Sequence, residues 1–352
     1  MKNKRKSLIA KIFPFVLFLA GTSCVDKFIP ETKEAFDRDV NFTKTFFDPV
    51  MGRTTLYNGY FEPAYSTLPL TFEIENIRCA DGTPAPELEE FYPVKVWSKP
   101  YLGTETSIEE INAKRTIEYR RLFDIRKHSG EMVIWSEANS SILRCQPDSG
   151  YVFDVVVSNS GGYKYAKNMR LMPKREVDFE PSIYDSETGL AIAEYVNPSE
   201  IYMTNEGGWH IAPSEVHIYF RENKDNTDQG SSLKLSFYDP DWKPINPKAF
   251  NETHWDELFQ AGFLKENGVT DEYVLYDMAY PLPLFKDATK YTDKNGEKAH
   301  ISLVASYLRP LLGSSYRRTV YMNFDFAIYK EAHWEILFHF AAQKPLLGEI
   351  KD

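Results

Sequence analysis

Thr319-Val320-Tyr321-Met322-Asn323-Phe324-Asp325-Phe326-Ala327-Ile328-Tyr329 is followed by Lys330-Glu331-Ala332 and then by His333-Trp334-Glu335-Ile336-Leu337-Phe338-His339-Phe340. The even positions of both runs are apolar: Val320, Met322, Phe324, Phe326 and Ile328, then Trp334, Ile336, Phe338 and Phe340. Side chains alternate across a strand, so this period of two predicts two strands, 319–329 and 333–343, each burying one face. A three-residue loop between them predicts a hairpin with Ile328 opposite Trp334 and Phe324 opposite Phe338. A slip of one residue would expose every one of those side chains, so the facing is strongly specified.

The same signal recurs outward from this stretch. Thr71–Ile77 alternates, Val94–Trp97 and Met132–Trp135 read as short strands, and Tyr151–Val157 is a β-branched run ending at Ser160-Gly161-Gly162. Val216–Arg221 and Leu233–Phe237 alternate again. Ser107-Ile108-Glu109-Glu110 is a capping box predicting a helix to about Arg121, and Thr253-His254-Trp255-Asp256 resembles a second helix start, with Gly268 beyond its end. Asp293-Lys294-Asn295-Gly296 predicts a type I′ hairpin turn. The expected fold is mostly β in two domains. An immunoglobulin-like sandwich with an inserted helix spans 46–165. A linker, 166–190, carries Pro173, Pro181 and Gly189, and a jelly-roll-like β-sandwich spans 191–352.

The N-terminus is an address. Lys2, Lys4, Arg5, Lys6 and Lys11 precede the apolar run Ile12–Ala20 and then Gly21-Thr22-Ser23-Cys24. This predicts a lipoprotein signal peptide over 1–23, acylation of Cys24 and a lipidated tether over 24–45. The run is too short for a spanning helix, which needs about 20 apolar residues. Gly21 stands where such signals usually carry leucine; an ordinary cleaved signal beside a cysteine is the alternative. The expected location is the outer membrane, held by lipid, facing the cell surface rather than the periplasm. Val25-Asp26-Lys27 offers only one acid and one base near the lipid.

The 352 residues are 43% hydrophobic and 15% aromatic, ample for substantial cores, with a net charge of −10. Without the five leader positives the balance is 36 basic against 51 acidic residues, near −15. Such a surface repels nucleic acid and anionic headgroups, so nucleic acid is not an expected partner and membrane attachment falls to the lipid. Cys79 and Cys145 either form a disulfide in an oxidising compartment or remain two separate thiols.

Gly52-Arg53-Thr54-Thr55 with Ser66-Thr67-Leu68-Pro69-Leu70-Thr71-Phe72-Glu73-Ile74, and Phe324–Tyr329 with His333–Ile336, resemble a family of uncharacterised Bacteroidota lipoproteins along nearly the whole mature chain. The resemblance implies an accessory role in nutrient capture, commonly of glycans, beside starch-utilisation-type outer-membrane transporters and their binding lipoproteins. It supplies no catalytic or binding residue.

Glycan binding needs flat apolar platforms beside polar groups. Trp209, after Asn205-Glu206-Gly207-Gly208, and Trp242, in Tyr238-Asp239-Pro240-Asp241-Trp242, lie in turn-like sequence, and with Asp239 and Asp241 they are the candidate ligand site. A loop tryptophan also caps sandwich ends. Trp97, Trp135, Trp255 and Trp334 are assigned to packing. His333, Glu335 and His339 share one strand face but span about 20 Å, too wide for one ion, so they read as solvated polar residues and no metal site is expected. Asp225 and Asp228 near Gly230 read as a polar turn. No Gly-x-Ser-x-Gly, His-Glu-x-x-His or cofactor motif occurs. Capture of a glycan is the leading expectation. A structural subunit touching only protein is the rival, and a hydrolase using Asp239 and Asp241 is the third reading.

Overall fold

The structure is a computed structural model that describes residues 33–311 and 314–350; Cys24 and the expected signal segment lie outside them. The chain is mostly β and of the β-sandwich class, built on two apolar cores. Among the described residues no helix is long and apolar enough to cross a membrane.

The first core gathers Phe47, Phe72, Phe123, Tyr151, Phe153 and their neighbours. Its strands are β1 (Asn41–Phe42), β2 (Phe46–Phe47), β3 (Thr55–Tyr57), β4 (Phe61–Glu62), β5 (Thr71–Cys79), β6 (Tyr92–Trp97), β7 (Arg115–Arg120), β8 (Phe123–Ile125), β9 (Met132–Ile134), β10 (Tyr151–Asn159) and β11 (Gly162–Leu171). A sheet ordered β2-β11-β10-β5 and a smaller one ordered β3-β9-β8 share this core, with Phe123 of β8 edge-on to Phe153 of β10 at 5.1 Å. Structure starts earlier than the expected tether end, because Val40 and Phe42 are already buried. It also runs on into the expected linker, since β11 continues to Leu171.

Helix α1 (Ile108–Asn112) lies between β6 and β7. Ser107 caps it as expected, its Oγ accepting from Glu110 N at 3.3 Å, but the helix does not reach Arg121. Thr116, Ile117 and Tyr119 favour extended backbone, and residues 115–120 pair with β6 over its whole length. The second expected helix start is a single 3₁₀ turn, Trp255–Glu257, that buries Trp255, and Gly268 belongs to a strand. The Asp293–Gly296 turn forms, with Gly296 N donating to Asp293 O at 3.0 Å. Only Gly296 has positive φ (+71°), so it is not the expected type I′ turn.

The second core uses β12 (Phe179–Glu180), β13 (Glu200–Tyr202), β14 (Val216–Glu222), β15 (Ser232–Tyr238), β16 (Gly262–Val269), β17 (Tyr273–Met278), β18 (Ala299–Leu311), β19 (Ser314–Ile328) and β20 (His333–Phe340). One sheet runs β14-β20-β15-β17-β16; in the other, β19 pairs with β18 along one edge and with β12 and β13 along the other. The expected hairpin between residues 319–329 and 333–343 is therefore absent, since β19 and β20 lie in opposed sheets. The facing is nevertheless as read. Phe324 and Phe326 are buried from one side and Trp334, Ile336, Phe338 and Phe340 from the other. The rings of Phe324 and Phe338 meet edge-on at 6.0 Å, across the core rather than side by side on a ladder. Lys330-Glu331-Ala332 is a crossover from sheet to sheet. Apolar alternation specifies which face is buried, whereas the edge a strand pairs on is decided by backbone groups common to all residues.

Candidate ligand site at the junction of the two sandwiches

The crossover also joins the halves. Arg53 lies in the first half. Its guanidinium donates to Tyr329 Oη at 2.7 Å, pairs with Glu180 at 2.7 Å and lies 4.1 Å from the Tyr329 ring centroid. The Gly52–Thr55 and Phe324–Tyr329 stretches thus meet in space. Burial pushes the Tyr329 hydroxyl up to about 12; the Arg53 charge opposes this and the Glu180 charge adds to it. Two residues on, Glu331 pairs with Lys95 at 2.6 Å. A small third core lies beside this contact, where Ile111 of α1 packs with Ala261 and Ala279 of the second half.

A cleft of about 350 Å³ opens next to that core. Trp97 ends β6, and Tyr101 lies in the loop that follows. Both face Phe285, with ring centroids 4.9 Å (Trp97–Phe285) and 5.6 Å (Tyr101–Phe285) apart and interplanar angles of 34° and 25°. Arg115 backs the indole, 4.6 Å from its centroid, and donates to Tyr280 O at 2.9 Å. The loop is pinned by Glu105, whose almost fully buried carboxylate accepts from Leu102 N at 3.0 Å and from the Lys114 ammonium. Burial raises the Glu105 pKa, but these donors outweigh it and bring it to about 2. Tyr101 donates to Gln260 O at 3.3 Å, and burial together with the Glu105 charge lifts its hydroxyl to about 12 against the pull of Arg115.

Phe259, Gln260, Ala261, Asp287, Tyr291 and Thr292 also line the cleft. Gly296 must be glycine here: its φ is +71°, and a Cβ would run into the Asp287 backbone. The cleft therefore offers aromatic rings with Asp287 and Gln260 beside them, while the Thr292 hydroxyl is taken up in its own turn, donating to Asp287 O at 2.7 Å and accepting from Thr289 N at 2.8 Å. That arrangement suits a ring-shaped ligand with apolar faces and polar edges.

The residues expected to form the site lie elsewhere. Trp242 follows β15 at φ +59°, half-exposed, with its ring stacked on His339 at 3.9 Å and 21°. Asp239 is buried and holds this turn, its Oδ1 accepting from Asp241 N at 3.0 Å and from Lys243 N at 2.9 Å. It serves the backbone and is not an open ligand. Asp241 is exposed and ion-paired with Lys243 at 3.4 Å. Trp209 sits in a separate loop after β13 and is not among the rings around Trp242.

His339 corrects the reading of an outward polar face. It is 6% exposed under Trp242, with neither ring nitrogen in a well-formed hydrogen bond. His333 bonds Ser232 Oγ at 2.8 Å, and Glu335 pairs with Lys234 at 2.8 Å. Trp97, assigned to packing, lines the cleft, whereas Trp255 and Trp334 are buried. Cys79 and Cys145 both carry free thiols. Sequence reading missed Tyr101, Gln260 and Phe285. Pro100-Tyr101 and Pro283-Leu284-Phe285 do place aromatics in proline-marked loops, but nothing in the sequence says that these loops meet.

No curated protein matches the chain. Residues 61–349 match the family model of the domain of unknown function DUF5007, and the chain belongs to that family.

Proposed function

We propose that this chain is an envelope lipoprotein of Bacteroidota type that captures a saccharide non-covalently, as an accessory to an outer-membrane transporter and its binding lipoprotein. Acylation at Cys24 would fasten it to the outer membrane, facing the cell surface. The reading rests on the junction cleft, where the rings of Trp97, Tyr101 and Phe285 cluster beside Asp287 and Gln260. A pyranose offers C–H faces to such rings and hydroxyls to Asp287 and Gln260. The test is affinity electrophoresis and calorimetry on a neutral oligosaccharide panel with wild type, Tyr101→Ala and Phe285→Ala. At least one oligosaccharide should bind, and each substitution should weaken it roughly tenfold or more, as loss of a stacking ring does. A panel without binders, or variants that bind as wild type, would count against the cleft.

One observation favours a second reading, a subunit that docks protein. Among the described residues β7 pairs only with β6, and its Ile117 and Tyr119 are 54% and 71% exposed. An edge strand with apolar side chains is a surface for strand addition. Co-purification with an outer-membrane transporter that is lost on Ile117→Lys, with no saccharide bound, would support this reading over capture.

A further inference from the structure

The loop after β13 and the arm formed by β18 and β19 carry a second surface of different chemistry. Trp209 is 73% exposed yet fixed. Its backbone N donates to Asn205 Oδ1 at 3.0 Å, Asn205 N donates to Trp209 O at 3.0 Å, and Asn205 Nδ2 donates to Gln343 Oε1 at 2.6 Å. Beside it, the Arg309 guanidinium lies so close over Gly208 (φ +82°) that a Cβ there would sit 2.8 Å from Nη2. Tyr202, 42% exposed, carries the Arg318 guanidinium 5.4 Å above its ring centroid, and Arg318 Nη2 donates to Tyr202 Oη at 3.3 Å.

Among the described residues neither Arg309 nor Arg318 has a carboxylate within ion-pairing distance, whereas Arg317 next to Arg318 is paired with Glu252 at 3.3 Å. The acid on the β13 side, Glu200, is already held by Tyr321 Oη at 2.9 Å and Asn323 Nδ2 at 3.0 Å. Two guanidiniums with no carboxylate partner among the described residues, set beside exposed rings, stand out on a chain of net charge −10.

We infer that Arg309, Arg318, Trp209 and Tyr202 form a binding site for a carboxylate-bearing saccharide of the uronate class, separate from the cleft. A guanidinium presents a planar fork of donors that matches a carboxylate with two parallel bonds. The indole and phenol faces suit the C–H face of the same sugar ring. The acidic remainder of the molecule opposes polyanions at long range, but at physiological ionic strength that repulsion fades within about 8 Å. Binding is therefore local, and it is sensitive to salt.

The experiment is calorimetric titration of the full chain with tetragalacturonate, with neutral maltotetraose as control and poly-aspartate as competitor. Tetragalacturonate should bind. Arg309→Gln and Arg318→Gln should each weaken it roughly tenfold or more, the scale for a lost charge-assisted bond, and Trp209→Ala should weaken it too. Raising salt from 0.05 to 0.5 M should weaken wild-type binding by a similar factor, a readout independent of any variant's folding. Phe285→Ala should leave it unchanged, which separates this site from the cleft. Absence of tetragalacturonate binding, indifference to both arginine substitutions and salt, or equal affinity for maltotetraose would overturn the assignment. Displacement by poly-aspartate at equal carboxylate concentration would assign the surface to acidic peptide instead.

Discussion

A tryptophan at φ +59° occupies a region that costs a bulky residue of order 1–3 kcal/mol, and the turn holding Trp242 there is fixed by the amides of its neighbours Asp241 and Lys243, both donating to the Asp239 carboxylate, and by Trp242 N donating to Asp239 O. The return is a ring laid flat on His339. Burial pushes the His339 imidazole below its ordinary pKa and the neighbouring His217 adds to this, while the carbonyls of Pro240 and Asp239 oppose it. The sign follows from linkage. A histidine depressed in the folded state takes up its proton more readily when unfolded, so this contribution to stability is present above about pH 6.5 and is lost as pH falls through the folded value. Trp242→Ala should move the His339 pKa back toward 6.5 in an NMR titration and flatten that part of the stability profile. An unchanged His339 titration would show that the stack does not set it. The turn was legible, because Asp-Pro-Asp has a strong local preference. The partner of its tryptophan was not, because it lies in another strand far along the chain.

At the scale of the element, β19 and β20 separate two kinds of information. Their alternation told which side chains go inward, and they do. It did not tell which strands they pair with. A short loop between two strands suits a hairpin, yet the same loop also lets the chain cross from one sheet to its opposite. The phenylalanines at 324 and 338 then become partners across the core. Phe338→Ala and Phe324→Ala should each cost about 3–5 kcal/mol. The double variant should cost less than the sum by about 0.5–3 kcal/mol, the range for residues in contact. Urea denaturation of all four proteins measures this; strict additivity would mean that the rings do not touch. The early end of α1 has the same origin, since a favourable cap starts a helix but a continuous partner strand outcompetes its extension.

For the whole molecule, the decisive contact is Arg53 with Tyr329 and Glu180, which ties one core to the other. Arg53→Ala should lower stability by about 1–3 kcal/mol in urea denaturation, the scale for losing a partly buried charged hydrogen bond. Lys95→Ala, which removes an exposed ion pair with Glu331, should change it by less than about 1 kcal/mol. Equal losses from the two would refute the greater weight given to Arg53. The cleft was not legible because its rings arrive from residues 97 and 101, at and just beyond the end of β6, and from residue 285 in a distant loop, which only the docking of two cores brings together.

That origin has a mechanical consequence. A molecule lodged in the cleft, against Trp97 and Tyr101 of one half and Gln260 and Phe285 of the other, grips both cores at once, so its binding free energy adds to whatever keeps them together. Occupancy would act as glue, stiffening the body when cargo is aboard and loosening it on release.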